Sequence, residues 1–213
     1  MRKNFLFLIF ITALLAATTS CTIATVRTLE EDTAAKEGFN PERYVAEIWD
    51  SQLLPVVHEK AVEVTFLLAE IDANEAAATL EYGSHSGTGA YSFLIYGDTQ
   101  VIGVDRESRI GLAGLDLAPY DGILDATLAI GPVIRNRNNA VRDAVGFIQF
   151  NDFVNQTEFA GVSSAIKDRI LRDVINSIDF ANLEGKTIHF YGAFTLEERS
   201  DIEIVPISLE VTN

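Results

Sequence analysis

The polar residues best suited to bind a ligand are concentrated between positions 131 and 159, where charged and amide side chains alternate with phenylalanines. Guanidinium, amide and carboxylate groups beside aromatic rings can line a pocket for a sugar or a small acid. Alternatively, these polar groups satisfy the backbone and cap a helix while the phenylalanines fill the core, and this is the interpretation that we favour. The candidate ligand-binding residues are Arg135, Arg142, Asn151, Asp152, Asn155 and Gln156. A structural ion pair between Arg142 and Asp152 is a further alternative.

Catalytic and metal-binding motifs are incomplete in the sequence. The histidines are far apart, and none has a second histidine or cysteine at ligand spacing. Three aspartates around a Pro/Gly turn do not match the spacing of a calcium loop, so we interpret them as solvated turn residues. We therefore predict no catalytic residue, no metal and no cofactor. An unrecognised hydrolase that uses His85 or His189 with a nearby carboxylate is kept as a minor hypothesis. The residues considered are His58, His85, His189, Asp116, Asp121 and Asp125.

The N-terminus has the pattern of an export signal that ends at a lipidation site. Arg2 and Lys3 precede an apolar run from Phe5 to Ala17, and hydroxyl residues then lead to Cys21, the only cysteine. A positive start, a short apolar stretch and small residues are typical of a cleaved signal, and the stretch is too short to span a bilayer. Cys21 is therefore the predicted lipidation site, and two or more acyl chains would anchor it stably. The alternative is an ordinary cleaved signal followed by an incidental cysteine.

Acidic residues outnumber basic ones. The chain contains 16 Lys+Arg and 31 Asp+Glu, which gives a formal net charge of −15, and cleavage of the signal would make it more negative. This charge repels nucleic-acid phosphates and anionic lipid headgroups. We therefore predict no nucleic-acid partner, and membrane attachment through lipid alone.

The pattern along the chain predicts a signal peptide at 1–20, a lipidated cysteine with a flexible tether at 21–38 and a single globular domain at 39–213. The domain is predicted to be helical over 39–82 and mainly β over 90–213, with an amphipathic helix at about 160–178. Asn40 and Pro41 are typical of a helix start, and Trp49 is interpreted as a core residue. A second helix is predicted from Pro55 to Ile71, and a short one over Asn74–Tyr82.

Runs of β-forming residues predict the strands. Tyr91–Tyr96 and Val101–Val104 flank Gly97-Asp98 and predict a hairpin. The other predicted strands are Ile110–Leu117, Ile123–Ile130, Phe147–Phe150, Lys186–Phe194 and Ile202–Val211. This order predicts the α+β class. The run Leu183–Gly192 resembles the opening strand of small five-stranded OB barrels, so the expected fold is N-terminal helices followed by antiparallel strands that form an OB-like β-barrel with an inserted amphipathic helix.

A series of short motifs resembles the predicted periplasmic lipoproteins of domain-of-unknown-function family 2291, over nearly the whole mature chain. They include Cys21-Thr22-Ile23, Gly38-Phe39-Asn40-Pro41, Ile48-Trp49-Asp50-Ser51, Ile130-Gly131-Pro132-Val133-Ile134-Arg135 and Phe150-Asn151-Asp152-Phe153. The resemblance implies an exported, lipid-anchored protein with an OB-like core. Genes of this family often lie near sugar-uptake transporters of the ABC type, which implies an accessory role, and no catalytic residues are implied.

We predict a periplasmic, lipid-anchored binding or accessory component associated with a solute (sugar) ABC transporter. Its expected partners are the membrane, through lipidated Cys21, and transporter components or a small polar solute. The alternative is a structural envelope lipoprotein with no small-molecule ligand. Thr22 is not the aspartate that commonly retains lipoproteins at the inner membrane, so the outer membrane is the expected location.

Overall fold

The computed structural model describes residues 38–105, 107–135 and 139–212. The first part of the described chain is helical. Helix α1 (Pro41–Ile48) begins as predicted, because Asn40 Oδ1 accepts a hydrogen bond from the Arg43 amide at 2.7 Å. A π-helical turn (Trp49–Leu53) follows, and the buried Trp49 lies in the core. Helix α2 (Leu54–Lys60) continues from this turn. The predicted signal, Cys21 and the tether lie outside the described residues.

The predicted continuous helix from Pro55 to Ile71 is wrong. The backbone becomes extended after α2, and strand β1 (Val62–Glu63) pairs in parallel with Ile95 and Tyr96. Helix α3 (Val64–Tyr82) then begins because the Glu63 carboxylate accepts a hydrogen bond from the Phe66 amide at 2.8 Å. Asn74 interrupts α3 with non-helical dihedral angles and caps the segment after it, which explains why the sequence predicts a separate helix from that residue.

Five strands of the described chain close a ring. The ring strands are β2 (Ser92–Asp105), β3 (Leu112–Leu117), β4 (Ala126–Ala129), β5 (Thr187–Thr195) and β6 (Glu203–Thr212). Strand β2 pairs with β3, β3 with β4, β4 with β6, β6 with β5, and β5 again with β2. Strand β1 lies beside β2 outside the ring. The β4–β6 and β1–β2 pairs are parallel, and the other pairs are antiparallel. Ring closure leaves few free strand edges.

The predicted hairpin at Gly97-Asp98 is wrong, because β2 runs without a turn through both residues. Its first part pairs with β5 and its last part with β3. A Cβ atom on Gly97 would lie 2.8 Å from Val64 Cγ1. The glycine therefore allows α3 to pack closely against the strand and does not mark a turn.

The segment between β4 and β5 is helical. The predicted strand Phe147–Phe150 is wrong: helix α4 (Ala140–Ala144) precedes this run, and a 3-10 turn (Phe150–Asp152) ends it. The predicted amphipathic helix is present as α5 (Gln156–Asp173), earlier than expected at both ends. The chain returns to the barrel through two 3-10 turns at Ile175–Ser177 and Phe180–Asn182.

Phenylalanines from β2 and β5 fill the barrel. Phe93 and Phe194, which are opposite each other in the register, stack with ring centroids 5.2 Å apart, and both are fully buried. Residues 39–213 form one compact unit. Within the described ranges, no helix combines the length and the hydrophobicity needed to cross a bilayer.

Candidate ligand-binding site

Arg142, one of the six candidate ligand-binding residues, is buried and paired within the protein. Its Nε lies 2.8 Å from Asp143 Oδ1, and its Nη1 donates to the Phe159 carbonyl at 3.4 Å. The guanidinium carbon is 3.8 Å from the centroid of the Phe159 ring. The contacts of Arg142 with Phe159 link α4 to α5. The ion-pair partner of Arg142 is Asp143, not the predicted Asp152.

The remaining predicted residues make separate contacts. Arg135 Nη1 forms an ion pair with Glu203 Oε2 at 2.9 Å, which joins the segment after β4 to β6. Asp152 Oδ2 accepts from the Gln149 amide at 3.0 Å, and Asn155 Oδ1 accepts from the Glu158 amide at 3.0 Å as the N-cap of α5. Asn151 and Gln156 are exposed. Most of these contacts satisfy backbone groups, cap a helix or form ion pairs, as the alternative without a ligand predicts. Ligand binding by these residues stays a prediction.

The three histidines occupy different environments. His58 packs edge-on against Tyr191, with centroids 4.8 Å apart, and His85 does the same against Tyr91 at 4.6 Å. His189 Nδ1 lies 3.0 Å from Asp98 Oδ1 on the outer face of the barrel, so this histidine has the nearby carboxylate that the hydrolase hypothesis requires. In the described part of the chain, no three histidine, cysteine or acidic side chains are grouped to hold a metal ion.

The aspartates of the turn between β3 and β4 bond to the backbone. Asp116 is 1 % exposed and accepts from the Gly122 amide at 2.8 Å and the Asp121 amide at 3.3 Å. Asp125 Oδ2 accepts from the Leu117 amide at 2.8 Å. These aspartates therefore organise the turn, and Asp116 is buried rather than solvated as predicted.

A cleft of about 410 Å³ lies where the ends of α2 and α3 and the turn after α4 meet β2; we call it the helix–barrel cleft. This volume is within the range of small-molecule sites. The side chains of Leu94 and Ala144 form the apolar part of its wall. The lining residues are Lys60, Glu81, Tyr82, Gly83, Ser84, Leu94, Ala144 and Gly146.

The polar groups of the helix–barrel cleft can both donate and accept hydrogen bonds. The Lys60 ammonium donates, the Glu81 carboxylate accepts, and the Ser84 and Tyr82 hydroxyls do both. A hydrogen bond to the Glu81 carboxylate, with a smaller effect of burial, raises the pKa of Tyr82. One positive and one negative side chain at the same cleft suit a neutral polyhydroxylated or zwitterionic molecule.

Two of the lining residues are glycines at positions where a side chain would be crowded. A Cβ atom on Gly83 would lie 2.6 Å from the Thr79 carbonyl oxygen and 2.8 Å from Tyr91 Cδ1. Gly146 has φ 77°, and a Cβ there would lie 3.2 Å from Ser84 Oγ. Sequence reasoning missed this site because its residues come from segments far apart in the chain, and the only local signal is the glycine that follows α3.

Comparisons with known proteins agree with the architecture. Among solved structures, the chain is similar to an OB-fold protein from Thermotoga maritima, with a TM-score of 0.67 and 20 % identity over 82 % of this chain and 99 % of that chain. This similarity and the closed ring of strands confirm the predicted α+β fold with an OB-like barrel. A search of curated proteins finds no match. The family model described as predicted periplasmic lipoprotein (DUF2291) matches residues 11–210. The chain therefore belongs to this family of predicted periplasmic lipoproteins, as its motifs predicted.

Proposed function

We propose that this lipoprotein is a non-enzymatic binding or accessory component of a solute ABC transporter, and that a neutral sugar is the solute. The observation that carries the proposal is the helix–barrel cleft, in which an ammonium, a carboxylate and two hydroxyls surround about 410 Å³. Sugar hydroxyls both donate and accept hydrogen bonds, so they can pair with each of these groups. The apolar side chains of Leu94 and Ala144 suit the C–H faces of a sugar ring.

Charge and cellular location support the same ligand class. OB folds bind oligonucleotides or oligosaccharides, and a net charge of −15 repels a nucleic-acid backbone. Family membership supports a periplasmic, lipid-anchored protein. The resemblance to a family whose genes often accompany sugar transporters agrees with a role beside one of them.

The test is calorimetric titration of the soluble domain, residues 22–213, with neutral mono- and disaccharides and with zwitterionic amino acids. For a sugar that binds, we expect Glu81→Gln and Lys60→Gln each to raise Kd by about tenfold or more, because a hydrogen bond to a charged group contributes about 1.5–3 kcal/mol. Glu59→Gln is the matched control, since Glu59 is an exposed neighbour of Lys60 that does not line the cleft.

Binding of no sugar, or equal weakening by Glu59→Gln, would contradict the assignment of the cleft. If no small molecule binds at all, the alternative of a structural envelope lipoprotein becomes the better explanation. Turnover of a sugar ester that is lost in His189→Asn would instead support the hydrolase hypothesis, because the described His189–Asp98 pair is its only geometric basis.

A further inference from the structure

The loop between β3 and β4, residues 118–125, exposes three large apolar side chains. The exposed fractions are 44 % for Tyr120, 63 % for Ile123 and 56 % for Leu124. Single exposed apolar residues are common on protein surfaces, whereas several on one short loop are typical of an interaction site. We call these three residues the apolar loop tip.

Side-chain carboxylates hold the backbone of this loop. Asp116, at the base of the loop, accepts from the amides of Asp121 and Gly122, and Asp121 Oδ1 accepts from the Ile123 amide at 2.9 Å. Asp125 accepts from the Leu117 amide on the other side. Because the loop is already ordered by these bonds, a partner that binds the tip would lose little entropy in ordering it.

A groove of about 220 Å³ lies between this loop and α3. Helix α3 contributes one face, Thr65, Leu68, Ala69 and Asp72, at the spacing of successive turns. Arg199 also lines the groove, and its guanidinium forms two hydrogen bonds with the Asp72 carboxylate, at 2.7 and 2.9 Å. The apolar loop tip and part of the groove wall belong to the same loop, so one complementary surface can contact both.

Charge determines the kind of partner. Asp72, Asp121 and Asp125 line the groove, and Arg199, the basic residue among the described lining residues, is bonded to Asp72. The Asp98 backbone carbonyl lies 3.5 Å from the Tyr120 hydroxyl, so a further acidic residue lies beside the tip. A second copy of this acidic chain and an anionic lipid surface would both be repelled.

We propose that the apolar loop tip and the groove form the docking surface for a periplasmic protein partner that presents an apolar socket bordered by lysine and arginine. Complementary charge of this kind accelerates association and excludes wrong partners. The surface is built from residues other than those of the helix–barrel cleft, so this proposal does not depend on sugar binding.

Site-specific photo-crosslinking in cells tests the proposal with the full-length, anchored chain. A photoreactive phenylalanine analogue replaces Ile123, and in the matched control it replaces Leu80, which is 78 % exposed on α3 and outside the groove. We expect a protein adduct at position 123 and little at position 80. The partner peptide, mapped by mass spectrometry, should be apolar with flanking lysine or arginine.

Tyr120→Ser should lower the adduct yield by about fivefold or more. Val154→Ser, which changes an 88 % exposed valine elsewhere, should leave the adduct yield unchanged.

Several results would overturn the proposal. They are an adduct with a second copy of the chain, an adduct with lipid alone, a mapped partner peptide that is acidic, or equal yields at positions 123 and 80. Thermal unfolding of each variant shows whether a lost adduct reflects a lost fold, and a Tyr120→Ser variant that keeps its Tm and its full adduct yield would also contradict the docking surface.

Discussion

At the residue scale, two buried basic side chains of this acidic protein lie between helices α4 and α5. Arg142 is 7 % exposed and Lys167 is 8 % exposed, although lysine and arginine are almost never fully buried unless they are paired. Burial lowers the pKa of Lys167, and the nearby Arg142 charge lowers it further, while Asp168 opposes this effect. These groups lie where α5 packs against α4, so their first role is structural.

The Lys167 amine is expected to titrate below its ordinary value of 10.5. Between its lowered folded-state pKa and 10.5 the unfolded chain binds more protons than the folded chain, so this residue makes the free energy of unfolding rise with pH across that window. Carbon-13 NMR of labelled lysine in the folded domain, with Lys167→Arg for assignment, measures the midpoint. A midpoint equal to that of the urea-unfolded chain would contradict the prediction.

At the element scale, capping residues determine where the helices begin. Asn40, Glu63 and Asn155 each accept a hydrogen bond from an amide in the first turn of the helix that follows. At the start of α5, the Glu158 carboxylate also accepts from the Val154 amide at 3.1 Å. The polar stretch around Asn155 is thus a helix start, which explains amide and carboxylate residues there without a ligand.

Replacement of Asn155 by alanine is expected to lower the free energy of unfolding by about 1 kcal/mol, because the Glu158 amide loses its capping acceptor. Gln156→Ala is the control: Gln156 is exposed at the first helical position and should change stability by less than about 0.5 kcal/mol. Urea unfolding of the soluble domain measures both values. Equal stability of the two variants would exclude a capping role for Asn155.

At the scale of the whole molecule, the family and the fold describe a predicted periplasmic lipoprotein with an OB-like barrel. The family model covers residues 11–210 and so includes the predicted lipidation site. The described helices include none that could span a bilayer. The outer membrane, which the Thr22 residue favours, stays a prediction.

Acylation of Cys21 can be measured directly. We expect metabolic labelling with a fatty-acid analogue to mark the wild-type protein and to be lost in Cys21→Ser, and mass spectrometry to find an acylated cysteine at the mature N-terminus. Ser20→Ala is a useful control, because the small residue before the cysteine is kept. An unmodified thiol on Cys21 would contradict the lipoprotein assignment for this chain.

Local patterns were sufficient for the parts of the fold that depend on neighbouring residues. Asn40-Pro41 predicted a helix start, and runs of β-forming residues predicted β5 and β6 at nearly the observed bounds. The capping of a helix near Asn155 was also foreseen. Each of these depends on hydrogen bonds or burial within a few residues along the chain.

The class of fold, the family and the expected lipidation site could be inferred from the chain alone, because they follow from periodicity, composition and motifs whose residues lie close together along it. The three-dimensional packing was needed to show that Gly97 lies against Val64 and does not form a turn. It also brought Lys60, Glu81 and Gly146 to one cleft and placed the loop between β3 and β4 beside α3. The physical reason is that ring closure and helix packing join segments that are far apart in the sequence, and no local pattern encodes those distances.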